Sequence, residues 1–280
     1  MKLDIVTWNI WGIPYGFSRE RQERIGRLIN CMHLHKPDII LLQEVFDLGD
    51  RKELSIRLPY RHPQNIYESR AIFGILPFDN TGGLVTYSRY PISKSVFQPF
   101  DRQGSGFDEW VSRKGYTKTH VITDEGDALV VNTHLSSWSW NSKARVEQLE
   151  QLTDDTDIMQ AGSLVIMGGD FNFDLEIDEE AASEELDVIE AAGFSQNPSG
   201  KLDMKVNGNG DLKTFCRRNF YMGEKDMADL SRDMQLDGIF VKMPDGKKVV
   251  SVESGLVGTA RGKEVSDHYG LRRTYVVEKR

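Results

Sequence analysis

Apolar runs rich in β-branched residues alternate with helical patterns along this chain. Leu3–Trp8 and Ile39–Leu42 read as buried strands, and Arg19–His35 between them carries apolar residues at helical spacing. Ile25, Leu28, Ile29, Met32 and Leu34 form the stripe this helix buries. Pro37-Asp38 stops it, because proline cannot continue the hydrogen-bond ladder and holds the preceding residue out of helical geometry. The pattern predicts further strands at Gly83–Ser88, Thr117–Thr123, Ala128–Thr133, Leu164–Gly168, Leu236–Val241, Val249–Val257 and Leu271–Val277. It predicts further helices at about Ser142–Gln160 and Glu179–Ala192. The polar turn Asp124-Glu125-Gly126-Asp127 joins two of the strands with hairpin chemistry. Hairpins mixed with helical crossovers predict an α/β protein in which two mixed sheets pack face to face with helices outside. Without repeats or Pro/Gly/Ser-rich linkers to divide it, the span 1–280 reads as a single domain.

Polar residues end several of these apolar strands, where an ordinary core does not want them. Asn9 ends Ile5-Val6-Thr7-Trp8, Glu44 ends Ile39-Ile40-Leu41-Leu42-Gln43, and His134 ends Val130-Val131-Asn132-Thr133. Asp170 and Asn172 follow Val165-Ile166-Met167-Gly168-Gly169; Asp237 sits in Leu236-Asp237-Gly238-Ile239-Phe240, and Asp267-His268 follows Ser266. Each alone has a structural explanation, such as an Asx turn at Asp170 or a solvated Glu44. Together, six strand ends offering carboxylates, amides and imidazoles predict one rim that hydrolyses a phosphoester. A hard cation such as Mg²⁺ takes oxygen ligands, which Glu44, Asn9 and Asp267 can supply; Mn²⁺ or another divalent ion is an alternative. His268, oriented by Asp237, is a plausible base, and Asp170 can instead orient or deprotonate the attacking water. His134 and Asn172 can donate to the phosphoryl oxygens.

In their order along the chain, Thr7-Trp8-Asn9, Leu42-Gln43-Glu44, Asn132-Thr133-His134-Leu135, Gly169-Asp170-Phe171-Asn172, Leu236-Asp237-Gly238 and Ser266-Asp267-His268 resemble the endonuclease/exonuclease/phosphatase superfamily, the deoxyribonuclease I-like fold. The resemblance implies a four-layer α/β/β/α sandwich, Mg²⁺ dependence and a site at one edge of the paired sheets. Within that superfamily, Asn9-Ile10-Trp11-Gly12-Ile13-Pro14-Tyr15 is similar to the neutral sphingomyelinase branch, as are Lys114-Gly115-Tyr116 and the Arg145-x-x-Gln148-Leu149 helix after His134. The implied reaction is phospholipase C cleavage of a phosphosphingolipid or related phospholipid. Leu236 and Gly238 stand where the inositol polyphosphate 5-phosphatases usually have Trp and Arg. A nuclease acting on nucleic acid and a soluble phosphatase are the alternatives.

Composition narrows the partners. A formal charge of −8 weighs against nucleic acid as the default partner, since each phosphate contact wants a Lys or Arg. Asp174–Glu190 holds nine carboxylates and no Lys or Arg, which reads as a solvated helix face with its entry loop. Two cysteines, Cys31 and Cys216, suggest buried thiols, with one disulfide open if the protein is exported. No apolar run reaches the roughly 20 residues of a membrane span, so the chain reads as soluble, with its compartment left open. A monomer without an obligate protein partner is expected, acting on a phospholipid or membrane-surface substrate. Trp138 and Trp140, just after His134, either pack over the following helix or form an exposed lip that dips into a bilayer interface. Trp11 and Tyr15 either line a headgroup pocket by cation–π contact or pack beneath the Asn9 strand. Lys114 can meet phosphate, although a solvated lysine is the commoner fate.

Overall fold

A computed structural model describes residues 1–60, 62–63, 69–72, 76–176, 183–198, 205–207, 212–216, 219–221, 233–243 and 246–279. In chain order the strands are β1 (Lys2–Gly12), β2 (Ile39–Val45), β3 (His62–Pro63), β4 (Ser69–Ile72), β5 (Leu76–Asp79), β6 (Val85–Ser88) and β7 (Ile92–Pro99). They continue with β8 (Gly115–Thr123), β9 (Gly126–His134), β10 (Leu164–Asp170), β11 (Lys205–Asn207), β12 (Asp237–Lys242), β13 (Lys247–Val257) and β14 (Gly270–Lys279). One mixed sheet runs β11-β13-β14-β1-β2-β6-β3, a second runs β12-β10-β9-β8-β7, and β4 and β5 form a separate hairpin. The helices are α1 (Arg21–His35), α2 (Leu48–Arg57), α3 (Phe107–Ser112), α4 (Ser142–Thr153), α5 (Thr156–Met159) and α6 (Glu184–Ala191).

Strand side chains alternate between faces, and the alternation sorts the apolar residues into three cores. Leu3, Ile5, Ile39 and Leu41 of the first sheet meet Val130, Ile166 and Ile239 of the second in the middle of the sandwich. Val6, Trp8, Ile40 and Leu42 point the other way, onto Leu28 and Met32 of α1 and Leu54 of α2. Leu129, Val131, Val165 and Met167 face Leu149 and Leu152 of α4 and Ile189 of α6. The layers are therefore helix, sheet, sheet, helix, as the strand and helix pattern predicted.

Several expected boundaries shift, each for a local reason. The helix expected over Ser142–Gln160 ends at Thr153, and Asp155 starts a new short helix by accepting the Asp157 amide on its side chain. The expected Glu179–Ala192 helix begins at Glu184, capped by the Ser183 hydroxyl, and its expected start at 179–182 lies outside the described residues. Leu34 is 78% exposed rather than buried, because it lies two residues past Met32 and so falls on the opposite face of α1. Nor is the acidic stretch wholly solvated: Glu185 is buried, 3.1 Å from the Arg145 guanidinium that joins α4 to α6. Cys31 and Cys216 are both free thiols, so the open disulfide does not form. Among the described residues no helix is long and apolar enough to cross a membrane.

The inward column of the sandwich changes character towards one end. Apolar Leu41, Val130, Ile166 and Ile239 give way to Gln43, Asn132, Asp170 and Asp237 at the ends of the same strands. Register puts His134 directly opposite Asp170, and Asp170 directly opposite Asp237, in one row across three adjacent strands. Gly169 permits the close approach of β9 and β10 at this row, since a Cβ there would stand 2.0 Å from the Thr133 carbonyl oxygen. Gly169→Ala is expected to destabilise the fold by about 1–3 kcal/mol, read as a lower urea midpoint at unchanged slope.

Candidate active site

The polar row is completed from the other sheet. Asn9, near the end of β1, donates from its amide nitrogen to Glu44 Oε1 at 3.0 Å and to Asp170 Oδ2 at 2.9 Å. Its amide oxygen accepts the Trp11 backbone N–H at 3.0 Å. One side chain thus ties the carboxylates of both sheets. Glu44 would face α1 and α2 with Ile40 and Leu42 if β2 kept its alternation to the end. A left-handed backbone at Glu44, φ 59°, breaks the alternation where the β1–β2 register shifts. Asn172 is left-handed as well, φ 56°, and its backbone N–H closes an Asx turn on Asp170 Oδ1 at 3.0 Å.

His268 reaches the row from the segment before β14. Its Nδ1 lies 2.8 Å from Asp237 Oδ2, and its Nε2 lies 3.8 Å from Asp170 Oδ2. Its backbone carbonyl accepts the Trp8 indole N–H at 3.0 Å, which fixes the segment over the outer core. Burial works against a charged imidazole here, but Asp237 and then Asp170 outweigh it and raise the His268 pKa to about 10. At neutral pH His268 is an imidazolium presenting an N–H towards Asp170.

His134 behaves in the opposite way. Burial first, then the charges of Lys114 and His268, hold its pKa well below the ordinary value. Its Nε2 is 2.5 Å from Lys114 Nζ and 3.5 Å from Asp170 Oδ2. A neutral ring accepting at Nε2 is the state that fits the ammonium, and the donor presented to the site is then Lys114 rather than His134. The expectation of a solvated lysine is corrected here: Lys114 is 3% exposed and also reaches Ser137 Oγ at 3.3 Å. Its place just before β8, opposite the end of β9, sets its side chain on the row.

Carboxylates dominate the remaining field. Burial is the main influence raising Glu44, Lys114 opposes it, and Asp267 adds to it, leaving the pKa at about 7. Asp267 is half-buried and takes the Ser266 hydroxyl at 2.9 Å. Glu44 Oε2 and Asp237 Oδ1 are buried without a hydrogen-bond partner. A free buried carboxylate oxygen beside further carboxylates is what an oxygen-seeking divalent cation would complete. Asp170, Asp237 and His268 form a second group that could hold a metal, with ligand-type atoms all within 4.8 Å of one another.

The structure gathers Asn9, Glu44, Lys114, His134, Asp170, Asp237 and His268 through direct contacts, with Asp267 alongside. Asn172 supports Asp170 and spends an amide hydrogen on the Leu135 carbonyl at 2.9 Å, so it faces the His134 loop. Trp11 lies under the Arg24 guanidinium, 5.0 Å away, and 6.0 Å from the Tyr221 ring. One face of its π-system is thus taken by a protein cation. Tyr15 is 46% exposed. Trp138 and Trp140 are exposed and stacked on each other. Sequence reasoning missed Arg24, whose buried guanidinium donates to the Ile10, Trp11 and Val265 carbonyls and so joins the Asn9 segment to the one preceding His268.

Comparison with known proteins agrees with this fold. The model of the Endonuclease/Exonuclease/phosphatase family matches residues 6–218. Sphingomyelin phosphodiesterase 2 of Rattus norvegicus is 24% identical over 302 residues, 99% of this chain and 65% of that protein. Sphingomyelinase C of Leptospira interrogans is 24% identical over 61% of this chain and 34% of that protein. Tyrosyl-DNA phosphodiesterase 2 of Gallus gallus is 24% identical over 95% of this chain and 65% of that protein. The chain therefore spans between about a third and two thirds of the length of these curated relatives. The beta toxin of Staphylococcus aureus, solved with bound magnesium ions, superposes with a TM-score of 0.73 at 18% identity, covering 98% of this chain and 99% of that one.

The raised pKa of Glu44 has a thermodynamic sign. A carboxyl pushed up to about 7 from 4.5 favours the metal-free fold fully below its unfolded pKa, and that contribution is lost as pH rises through 7. Glu44→Gln is expected to raise the metal-free melting midpoint at pH 8 by on the order of 3 °C and to leave it nearly unchanged at pH 4.5. A divalent cation should stabilise the wild type more at pH 8 than at pH 6, and Glu44→Gln should lose that gain; differential scanning fluorimetry with and without EDTA reads both.

Proposed function

We propose that this chain, which belongs to the Endonuclease/Exonuclease/phosphatase family of metal-dependent phosphoesterases, is an Mg²⁺-dependent phospholipase C acting on sphingomyelin or a related phospholipid. The observation that carries a phosphodiesterase reading is the row Lys114, His134, Asp170, Asp237 and His268, tied across the sheets by Asn9 to Glu44. The sphingomyelinase relatives and the Trp11-Gly12-Ile13-Pro14 segment support a lipid substrate.

Glu44 and Asp267 suit Mg²⁺ better than the Asp237–His268 pair, because an imidazolium has no lone pair to give. The ion, when bound, would supply Lewis-acid polarisation of a phosphoryl oxygen. The chain's own residues do the rest. A water reaching Asp170 Oδ2 attacks phosphorus, passes its proton to that carboxylate and displaces the lipid alkoxide, which takes a proton from solvent, leaving a phosphorylated headgroup. Asn9 and the Asn172 amide hold the two Asp170 oxygens in place for this transfer. His268, charged and oriented by Asp237, donates from Nε2 to the oxygens on which charge grows, and Lys114 is the second cationic donor. His134 holds the Lys114 ammonium by accepting from it.

Purified protein with Mg²⁺ is expected to release phosphocholine from sphingomyelin, and EDTA to stop it. No phosphorylated headgroup from any lipid, together with nicking of DNA, would replace this reading by the nucleic-acid one that the tyrosyl-DNA phosphodiesterase relatives favour. Asp170→Asn and His268→Gln should each lower kcat by roughly 10²–10⁴-fold. Because His268 acts while protonated, the wild-type rate should fall as pH rises through its raised pKa. His268→Gln should remove that alkaline limb; loss of the acidic limb instead would make His268 the base.

A further inference from the structure

Four large aromatic side chains stand in solvent beside the site: Phe107 is 63% exposed, Trp110 58%, Trp138 51% and Trp140 67%. They form one surface. The indoles of Trp138 and Trp140 stack with centroids 5.3 Å apart and planes at 5°; the rings of Phe107 and Trp110 lie 5.9 Å apart. The two pairs are joined by the Trp138 indole N–H, which donates to Asp108 Oδ2 at 2.8 Å.

Loop sterics do not produce this display; the chain works to maintain it. Trp138 has φ 70° and ψ 146°, a region that glycine occupies readily and a tryptophan only under strain, at a cost of about 1–3 kcal/mol. Buried groups impose the strain. Arg145 donates to the Trp138 carbonyl at 2.7 Å, Glu109 accepts the Ser137 N–H at 2.7 Å, and the Asn141 side chain donates to the Ser137 carbonyl at 2.8 Å. The same loop carries Ser137 against Lys114 and begins at His134, so the aromatic surface is continuous with the site and fixed to it. Strain spent on holding apolar rings in water is recovered only if something covers them.

We propose that Phe107, Trp110, Trp138 and Trp140 are a docking lip for the interface of a zwitterionic phospholipid bilayer, setting the Asp170 row against the headgroup layer; this rests on the phospholipase reading above. Indole rings with a polar N–H partner suit the headgroup level, where one side is wet and the other apolar. Charge selects the bilayer: at −8 the chain is repelled by an anionic surface, and phosphatidylserine weakens the docking rather than strengthening it.

The test is partition of the full chain, in EDTA so that no lipid turns over, onto phosphatidylcholine vesicles with and without phosphatidylserine, followed by sedimentation. Brominated phosphatidylcholine should quench the tryptophan emission, and Phe107→Ser with Trp140→Ser should lower partition at least tenfold at an unchanged melting midpoint. Both positions are solvent-exposed, so folding is not at risk, and Trp140→Phe should retain most of the binding. Undiminished partition of the double variant, or stronger binding with phosphatidylserine, overturns the proposal. So does a loss seen equally on a single-stranded oligonucleotide, which would make the lip a base-stacking platform. Hydrolysis of a dispersed short-chain phospholipid by a wild type that ignores vesicles would sink the lip and leave the reaction standing. Lip-dependent vesicle binding without any lipid hydrolysis would support the lip and sink the reaction.

Discussion

Everything at the rim answers one constraint: Glu44, Asp170, Asp237 and Asp267 are gathered where water is largely excluded, and like charges in such a place repel strongly. Each neighbouring group offsets part of that cost. Asn9 lends its two amide hydrogens to Glu44 and Asp170, His268 takes up a proton between Asp237 and Asp170, and Lys114 adds a fixed cation. The compensation is incomplete, as the raised pKa of Glu44 and the unpartnered Glu44 Oε2 record. A residual negative field with a free oxygen is the feature on which the proposed divalent-cation site rests. The site's main apparent defect and its chemistry have the same origin.

No single sheet holds this arrangement. Glu44 and Asn9 come from the first sheet; His134, Asp170 and Asp237 come from the second, so the distance between sheets is a catalytic dimension. A buried clasp just inside the rim fixes it: Gln43 donates to Asn132 at 2.8 Å and to Thr7 at 3.1 Å, while Asn132 donates across to the Leu42 and Val85 carbonyls. Hydrophobic contact alone is non-directional and would tolerate small slips between the sheets. Directed hydrogen bonds are not so tolerant, which explains polar residues at inward positions of otherwise apolar strands.

The sandwich and most of the row were legible in the sequence because period-2 alternation fixes which residues point inward and a strand end fixes where. Asp170, Asp237 and His134 were readable for that reason. The edge strand β7 was not, since Ser93, Lys94 and Ser95 on an exposed edge carry no apolar alternation. Lys114 was misjudged because its burial depends on a neutral His134 across the strand pair, and protonation state has no signature in a sequence. Arg24 sits among charged residues in α1, and nothing local distinguishes it from Arg21 or Arg27; only the fold shows four backbone carbonyls converging on it. Glu185 was hidden by eight other carboxylates nearby, although Arg145 two helices earlier is its partner.

Strain follows the same map. Of the eight residues other than glycine with left-handed φ among the described residues, five are Trp11, Glu44, Arg113, Trp138 and Asn172, each at or a few residues from a rim residue along the chain. At Glu44 the unusual backbone turns a carboxylate away from an apolar helix interface; at Asn172 it closes a turn on Asp170; at Trp138 it lifts an indole into solvent. At Glu44 and Trp138 the conformation is opposed by local preference and held by hydrogen bonds from other elements, Asn9 to the Glu44 carboxylate and Arg145 to the Trp138 carbonyl, whereas asparagine takes this geometry readily at 172. A backbone imposed in this way yields little when a charged substrate arrives, so the electrostatic work of arranging the site is done during folding, and the reacting groups need little reorganisation during turnover.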